Sequence, residues 1–256
     1  EVGGRVVQER RLPGLAEWGR VVDYRIYQIS QMANVELYLE SRITPDFLEE
    51  FAADHIALAT GAHWTEDGIG RQNPLGIKIS VGAQVLTPDD IMAGVVPEGP
   101  VVLFDDDHFY MGGAIAEQLC RSGCEVTLVT PASEVSSWTR NTLDQHMIQK
   151  QLLQLGVRVE ISHNVIAIRA GAVDLACVFT ETTRTLDCAA VVLVTMRTPV
   201  DDLWQVCPDL TRIGDALSPS TIAAAVYSGH RYARELGEPD RGNIPFRREL
   251  IRLSSS

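Results

Sequence analysis

Between Val101 and Thr130 the chain carries a strand–helix–strand run whose first turn holds carboxylates where a nucleotide-binding turn holds glycines. Val101-Val102-Leu103-Phe104 reads as a short strand buried on both faces. Met111 to Ser122 reads as a helix with Ala114, Ile115, Leu119 and Cys120 apolar, and Cys124 to Thr130 as a second strand. That length and order are those of a βαβ unit of dinucleotide-binding type. Such a unit needs G-x-G-x-x-G in its first turn, because the backbone must approach a pyrophosphate at a helix N-terminus. Here the turn reads DDDHFYMGG. Asp105, Asp106 and Asp107 would repel a pyrophosphate. The second strand ends in Thr130-Pro131, so the acidic residue that holds a ribose is missing too. The frame predicts a nicotinamide-type domain with its binding chemistry replaced, and NAD(P) is not expected.

Alternating strands and helices continue on both sides of this unit. Helical spacing of Val21, Val22, Ile26 and Ile29 predicts a helix within Ala16 to Met32. The opening EVGGRVVQERRLPG reads as a loop, and alternation over Val35 to Glu40 reads as a strand. Thr44-Pro45 and Thr87-Pro88 are helix starts, with Thr as cap and Pro in the first turn. Asp54 to Gly61 reads as a buried strand entering a tight turn. Thr142 to Leu155 reads as a helix and Val157 to Ile161 as a strand. Val165 to Arg169, Ala176 to Thr180 and Thr183 to Leu186 form a small antiparallel ribbon. Ala189 to Thr195 is a second buried parallel strand, Leu210 to Asp215 closes a third, and Pro219 to Leu236 is a helix. The sum is an α/β fold with mostly parallel sheets.

Composition narrows the partners. A net charge of -12 speaks against a nucleic-acid surface. Six arginines between Arg231 and Arg252 read as a solvated helix and tail, and Ser254 to Ser256 as a disordered end. No apolar run approaches the roughly 20 residues of a membrane span. The five cysteines form no C-x-x-C pair and suit neither zinc nor an iron–sulfur cluster. A reducing, cytoplasmic setting is the expectation.

Four segments carry a family resemblance: Val2-Gly3-Gly4-Arg5, Ala59-Thr60-Gly61-Ala62, Leu193 to Pro199, and Ile213-Gly214-Asp215. Together they resemble the pyridine-nucleotide–disulfide-reductase-like region of flavin oxidoreductases. The stretches Leu12 to Trp18, Tyr227 to Glu235 and Ile244 to Glu249, with the acidic turn after Phe104, resemble more closely the C-terminal part of the trimethylamine and dimethylamine dehydrogenase group. N-methyl amino-acid demethylases belong to the same group. In that group a flavin barrel with FMN and a 4Fe-4S cluster precedes two nucleotide-binding-type domains. The barrel, and the first βαβ unit of the flavin/ADP domain, are not in this sequence, so the chain is expected to be part of a larger enzyme.

The resemblance implies two Rossmann-like lobes: a discontinuous FAD/ADP-type lobe over 1–97 and 205–256, lacking its first βαβ unit, and an inserted NAD(P)-type lobe over 98–204. It implies ADP or FAD in the discontinuous lobe, near Thr60, Gly61, Gly214 and Asp215, with Gly3, Gly4 and Arg5 in the loop that wraps the nucleotide. Taken alone, Gly-Asp is an ordinary turn or cap, and Thr60-Gly61 a simple turn. His108 reads as an exposed turn residue, Phe109-Tyr110 as a plug in the nicotinamide space, and the tryptophans as packing groups. No metal site and no catalytic residue is expected within the chain. The implied function is oxidative N-demethylation of a small methylated amine or amino acid by the whole enzyme. Its implied partners are the flavin barrel, an electron-transfer flavoprotein and further copies of itself. Two other readings remain: an NAD(P)H-dependent, enoate-reductase-like oxidoreductase, and a non-catalytic module for oligomerisation or flavoprotein docking.

Overall fold

The computed structural model describes residues 2–238. Glu1, Arg241, the Ile244–Glu249 segment, Arg252 and the serine tail lie outside the described residues. In chain order the elements are α1 (Arg5–Glu9), α2 (Gly19–Ser30), α3 (Pro45–Phe51), β1 (Ala57–Leu58), β2 (Ala62–Trp64), β3 (Lys78–Ile79), β4 (Val85–Leu86) and α4 (Pro88–Met92). Then come β5 (Val101–Asp105), α5 (Tyr110–Arg121), β6 (Val126–Val129), α6 (Gln145–Gln154), β7 (Arg158–Glu160), β8 (His163–Arg169), β9 (Ala172–Cys177) and β10 (Thr183–Asp187). The described part ends with β11 (Ala190–Val194), β12 (Arg197–Pro199), α7 (Asp202–Val206), β13 (Thr211–Arg212) and α8 (Ile222–Glu235).

Two compact units result, Glu1–Ile43 with Ala62–Thr198, and Thr44–Gly61 with Pro199–Ser256. These divisions follow packing and fall at other points than the 97/98 and 204/205 divisions read from the sequence.

In the first unit a five-stranded parallel sheet has the order β4-β11-β5-β6-β7. Its central strands are buried at every position, which is why VVLFD and AVVLV read as unbroken apolar runs rather than alternations. Alternate side chains still serve two different layers. Val101 and Leu103 pack with Ile115 and Leu119 of α5 and Leu152 of α6. Val102 and Phe104 pack with Val165, Ile168, Val173 and Leu175 of a second sheet, ordered β10-β9-β8-β3. Each such side chain contributes about 1.5–3 kcal/mol by leaving water. The layers are therefore helices, parallel sheet, and antiparallel ribbon. The ribbon's outer strands follow the sequence reading; its middle strand is Ala172–Cys177 rather than Ala176–Thr180, because Val178 to Thr180 form the turn into β10.

In the second unit β1 pairs with β13 in parallel, Leu58 opposite Arg212. The Thr44 hydroxyl accepts from the Phe47 N–H at 3.3 Å and opens α3, as its Thr-Pro signal predicts.

Four local readings are corrected. Val35 to Glu40 forms no strand, because among the described residues no strand pairs with it to take up its backbone groups. Asp54 to Gly61 is strand only at Ala57–Leu58, and Asp54 and His55 are exposed. The opening segment holds a helical turn at Arg5–Glu9, with Glu9 fully buried. His108 is buried, not exposed.

Candidate functional site

The parallel sheet reverses its order between β5 and β11: from β5 the chain proceeds outward to β6 and β7, and the later β11 returns to β5's other side. Open α/β sheets bind ligands outside the carboxyl ends of the strands at such a reversal. Here that place is built from Asp105 at the end of β5 and Asp106 to His108 after it, Thr130 after β6 and Thr195 after β11. All but Asp107 of these are buried.

The three aspartates have different partners. Asp105 Oδ1 accepts from the His108 N–H at 3.0 Å, and its Oδ2 has no hydrogen-bond partner among the described residues. Burial, with the neighbouring Asp107 charge, pushes its pKa up to about 7. A Cβ on Gly112 would fall 2.5 Å from Asp105 Cγ, so α5 approaches the strand closely only because that residue is glycine. Asp106 Oδ2 accepts from the Gln72 N–H at 2.8 Å, and the amides of Asp106 and Asp107 both donate to the Val194 carbonyl. Asp107 is raised by burial, while Arg197 and Arg71 pull it down. His108 takes φ 66 and sets Nδ1 3.4 Å from Thr130 Oγ1 and Nε2 3.5 Å from Asp106 Oδ1. Phe109 meets Trp138 edge-on, and Arg71 lies 4.1 Å above the same indole.

At glycine-fingerprint spacing the three glycine places are Asp105, Asp107 and Tyr110. Tyr110 turns away from the sheet edge: its hydroxyl donates to Glu9 Oε2 at 3.0 Å and its ring stacks on Trp18. Burial, then the Glu9 carboxylate, hold that hydroxyl above its ordinary pKa. Arg5 Nε lies 2.6 Å from Glu9 Oε1. Gly3 has φ 118, and a Cβ there would meet Val22 and Val7 at 2.7 Å; Gly4 has φ 54 with open space around it. The first unit thus gathers Gly3, Gly4 and Arg5 around α1, with Arg5 facing Glu9.

The second unit brings the other four residues together. Thr60-Gly61 follows β1 and Gly214-Asp215 follows β13, so the parallel register puts both pairs at the same strand ends. Thr60 Oγ1 donates to the Val200 carbonyl, and the Gly61 carbonyl accepts from the Val200 N–H at 2.9 Å. Gly61 has φ 83 and nothing within 4 Å of where a Cβ would stand. The Gly214 N–H donates to Ser228 Oγ at 2.9 Å, and Asp215 Oδ1 accepts from the Ser220 N–H at 3.0 Å.

Glu9, Gly70, Gln72 and Asn73 were not singled out from the sequence. The closely spaced Gly68 and Gly70 were the available signal, since both are buried in a segment otherwise rich in polar residues. Among the described residues no group of three or more His, Cys, Asp or Glu could hold a metal ion, the aspartate run included. No described helix is long and apolar enough to cross a membrane.

Comparison with known proteins adds the following. Residues 86–190 match the family described as OYE-like second alpha/beta domain. The chain is 27% identical to dimethylamine dehydrogenase of Hyphomicrobium sp. (strain x) over 288 aligned positions, 97% of this chain and 39% of that protein. It is similar to the structure of histamine dehydrogenase from Rhizobium sp. 4-9, with 48% identity, a TM-score of 0.92, and coverage of 100% of this chain and 42% of that one. The structure of 6-hydroxypseudooxynicotine amine oxidase from Pseudomonas geniculata N1 is 38% identical, with a TM-score of 0.89 over 93% of this chain and 37% of that one. The chain therefore spans well under half the length of these relatives. It is similar to dimethylamine dehydrogenase and histamine dehydrogenase, and residues 86–190 of its mixed α/β fold are similar to an OYE-like second α/β domain.

Proposed function

We propose that this chain is the C-terminal nucleotide-binding-type region of a flavin-dependent oxidoreductase that oxidises a small amine, with oxidative N-demethylation as the reaction class. In this reading the five-stranded parallel sheet, from β4 at Val85 to β11 at Val194, belongs to a Rossmann-like lobe, and the β1–β13 pair of the second unit to an FAD/ADP-type lobe. The observation that carries the proposal is the meeting of Thr60-Gly61 and Gly214-Asp215 at one pair of parallel strand ends. Similarity to histamine dehydrogenase over the whole chain supports the amine class.

The residues present fit the ADP part of a nucleotide. Gly61, at positive φ with open space where a Cβ would stand, lets a ligand approach the backbone. Asp215, in the turn ahead of α8, supplies a carboxylate that can accept from ribose hydroxyls. Thr60 and Gly214 complete the turn pair. ADP or FAD would be held at these turns by Gly61 and Asp215. FMN and a 4Fe-4S cluster, for which the described residues offer no site in this reading, would supply the redox chemistry of amine oxidation from a flavin barrel elsewhere in the enzyme. An electron-transfer flavoprotein then accepts the electrons, and the whole enzyme is a homo-oligomer.

Calorimetric titration tests the assignment. ADP is expected to bind the wild-type chain, and Asp215→Ala to weaken it by about 1–3 kcal/mol, the loss of hydrogen bonds to a charged group. Equal affinity of the two proteins would reject the site.

A further inference from the structure

Gly70 lies against both strand ends at the reversal of the parallel sheet. A Cβ on it would collide with Asp106 Oδ2, just after β5, and stand 3.2 Å from Thr195 Cβ, just after β11. Two residues on, the Gln72 N–H donates to Asp106 Oδ2 at 2.8 Å. Beyond it, Asn73 and Asn164 exchange amide hydrogen bonds at 2.9 Å each way, and Asn73 Nδ2 also donates to the Val165 carbonyl, which ties the segment to β8. The segment is internally closed as well: Gly70 N–H donates to the Asn73 carbonyl, Ile69 N–H to Asp67 Oδ1, and Ile77 N–H to the Asp67 carbonyl. Arg71 flanks Asp107 and covers the Trp138 ring.

We infer that Asp67–Asn73 is an internal occupant of the sheet's ligand crevice, and that its Gln72–Asp106 and Gly70 contacts are what exclude a nicotinamide dinucleotide. The inference rests on the reading of this sheet as a nucleotide-domain frame. In a binding turn, protein N–H groups face a ligand anion. In this chain the roles are exchanged: the turn supplies the anion, Asp106, and the segment supplies the N–H. The acidic turn is thus one half of an intramolecular contact whose other half is Gly70-Arg71-Gln72. A buried carboxylate held in this way gives a fixed strap, since releasing it would leave the charge without its donor.

Hydrogen exchange on the wild-type chain provides the first test. The Gly70 and Gln72 amides are expected to exchange as slowly as those of β5 and β11; exchange at the rate of an open loop would overturn the inference. A thermal-melting cycle provides the second. Gly70→Ala and Asp106→Ala are each expected to lower Tm by about 3–8 °C, and Gly70→Ala to cost much less in the Asp106→Ala background, where the collision is gone. Additive shifts would show that the segment is not seated on Asp106. NADH and NADPH at millimolar concentration are expected to leave the exchange pattern unchanged. Binding accompanied by loss of protection over 67–73 would mean a displaceable lid and sink the proposal. Binding with the strap still protected would count against the choice of crevice. The ADP result with Asp215→Ala reads the second unit and so tests the functional proposal separately.

Discussion

A carboxylate with no water around it and one oxygen without a donor is costly to ionise, and Asp105 is such a group. With its pKa near 7 instead of 3.8, the folded chain holds a proton that the unfolded chain has released between those values. Stability on this account is fullest below about pH 4, falls as pH rises toward 7, and levels off above it. The total effect is on the order of a few kcal/mol. Asp107, also raised by burial, lies beside it and acts in the same direction. Asp105→Asn keeps an oxygen for the His108 N–H and removes the titration. Urea unfolding across pH 4–8 is expected to show a much flatter profile in the variant; an identical slope would assign the titration elsewhere. That three aspartates stand in a row was plain in the sequence. Their opposite orientations were not, because neighbouring residues at a strand end face different partners, and Gln72 lies 34 positions away from Asp106.

At the level of elements, α5 is held to the sheet and to α6 by two adjacent glycines. A Cβ on Gly112 would press on Asp105, which is fixed by burial, and a Cβ on Gly113 would meet Ile148 Cγ2 at 2.6 Å. Alanine normally favours a helix interior by about 1 kcal/mol over glycine. At Gly112 overpacking wins, because the opposing group cannot move aside. Gly112→Ala is expected to destabilise by about 1–3 kcal/mol, read as a lower urea midpoint with unchanged m. Gly113→Ala is expected to destabilise as well, because the Ile148 Cγ2 it would meet branches directly from Cβ and its rotamer is restricted in α6. A stabilised Gly112→Ala protein would mean that α5 does not lie so close. The helices and strands of this region were legible from continuous apolar runs and helical spacing. Val35 to Glu40 shows the limit of the same method: alternation marks a sequence able to be a strand, while a strand also needs a neighbour's carbonyls and amides.

For the molecule as a whole, the two units differ in how their sheets are supported. Five parallel strands covered on both faces bury their backbone groups, whereas β1 and β13 form a parallel pair two residues long. Parallel strands depend on cover from both sides and on several neighbours. Hydrogen exchange of the isolated chain is therefore expected to be slowest at β5, β6 and β11 and faster by orders of magnitude at β1 and β13. Equal protection in both sheets would show that the short pair is supported as well as the long sheet.

Local chemistry written in the chain determined the α/β class, the βαβ run, the ribbon, the Thr-Pro helix starts and the loss of glycines from the first turn. Each depends on residues close together in sequence, through periodicity, capping or backbone freedom. Tertiary structure alone decided that Glu9 is buried with Arg5 and Tyr110, that Gly61 and Asp215 stand at neighbouring strand ends, and that Asp106 is held by a segment far upstream. Those facts depend on which strands become neighbours. Neighbour choice is an energy of the whole packed unit, in which distant residues share one buried volume, and no local pattern encodes it.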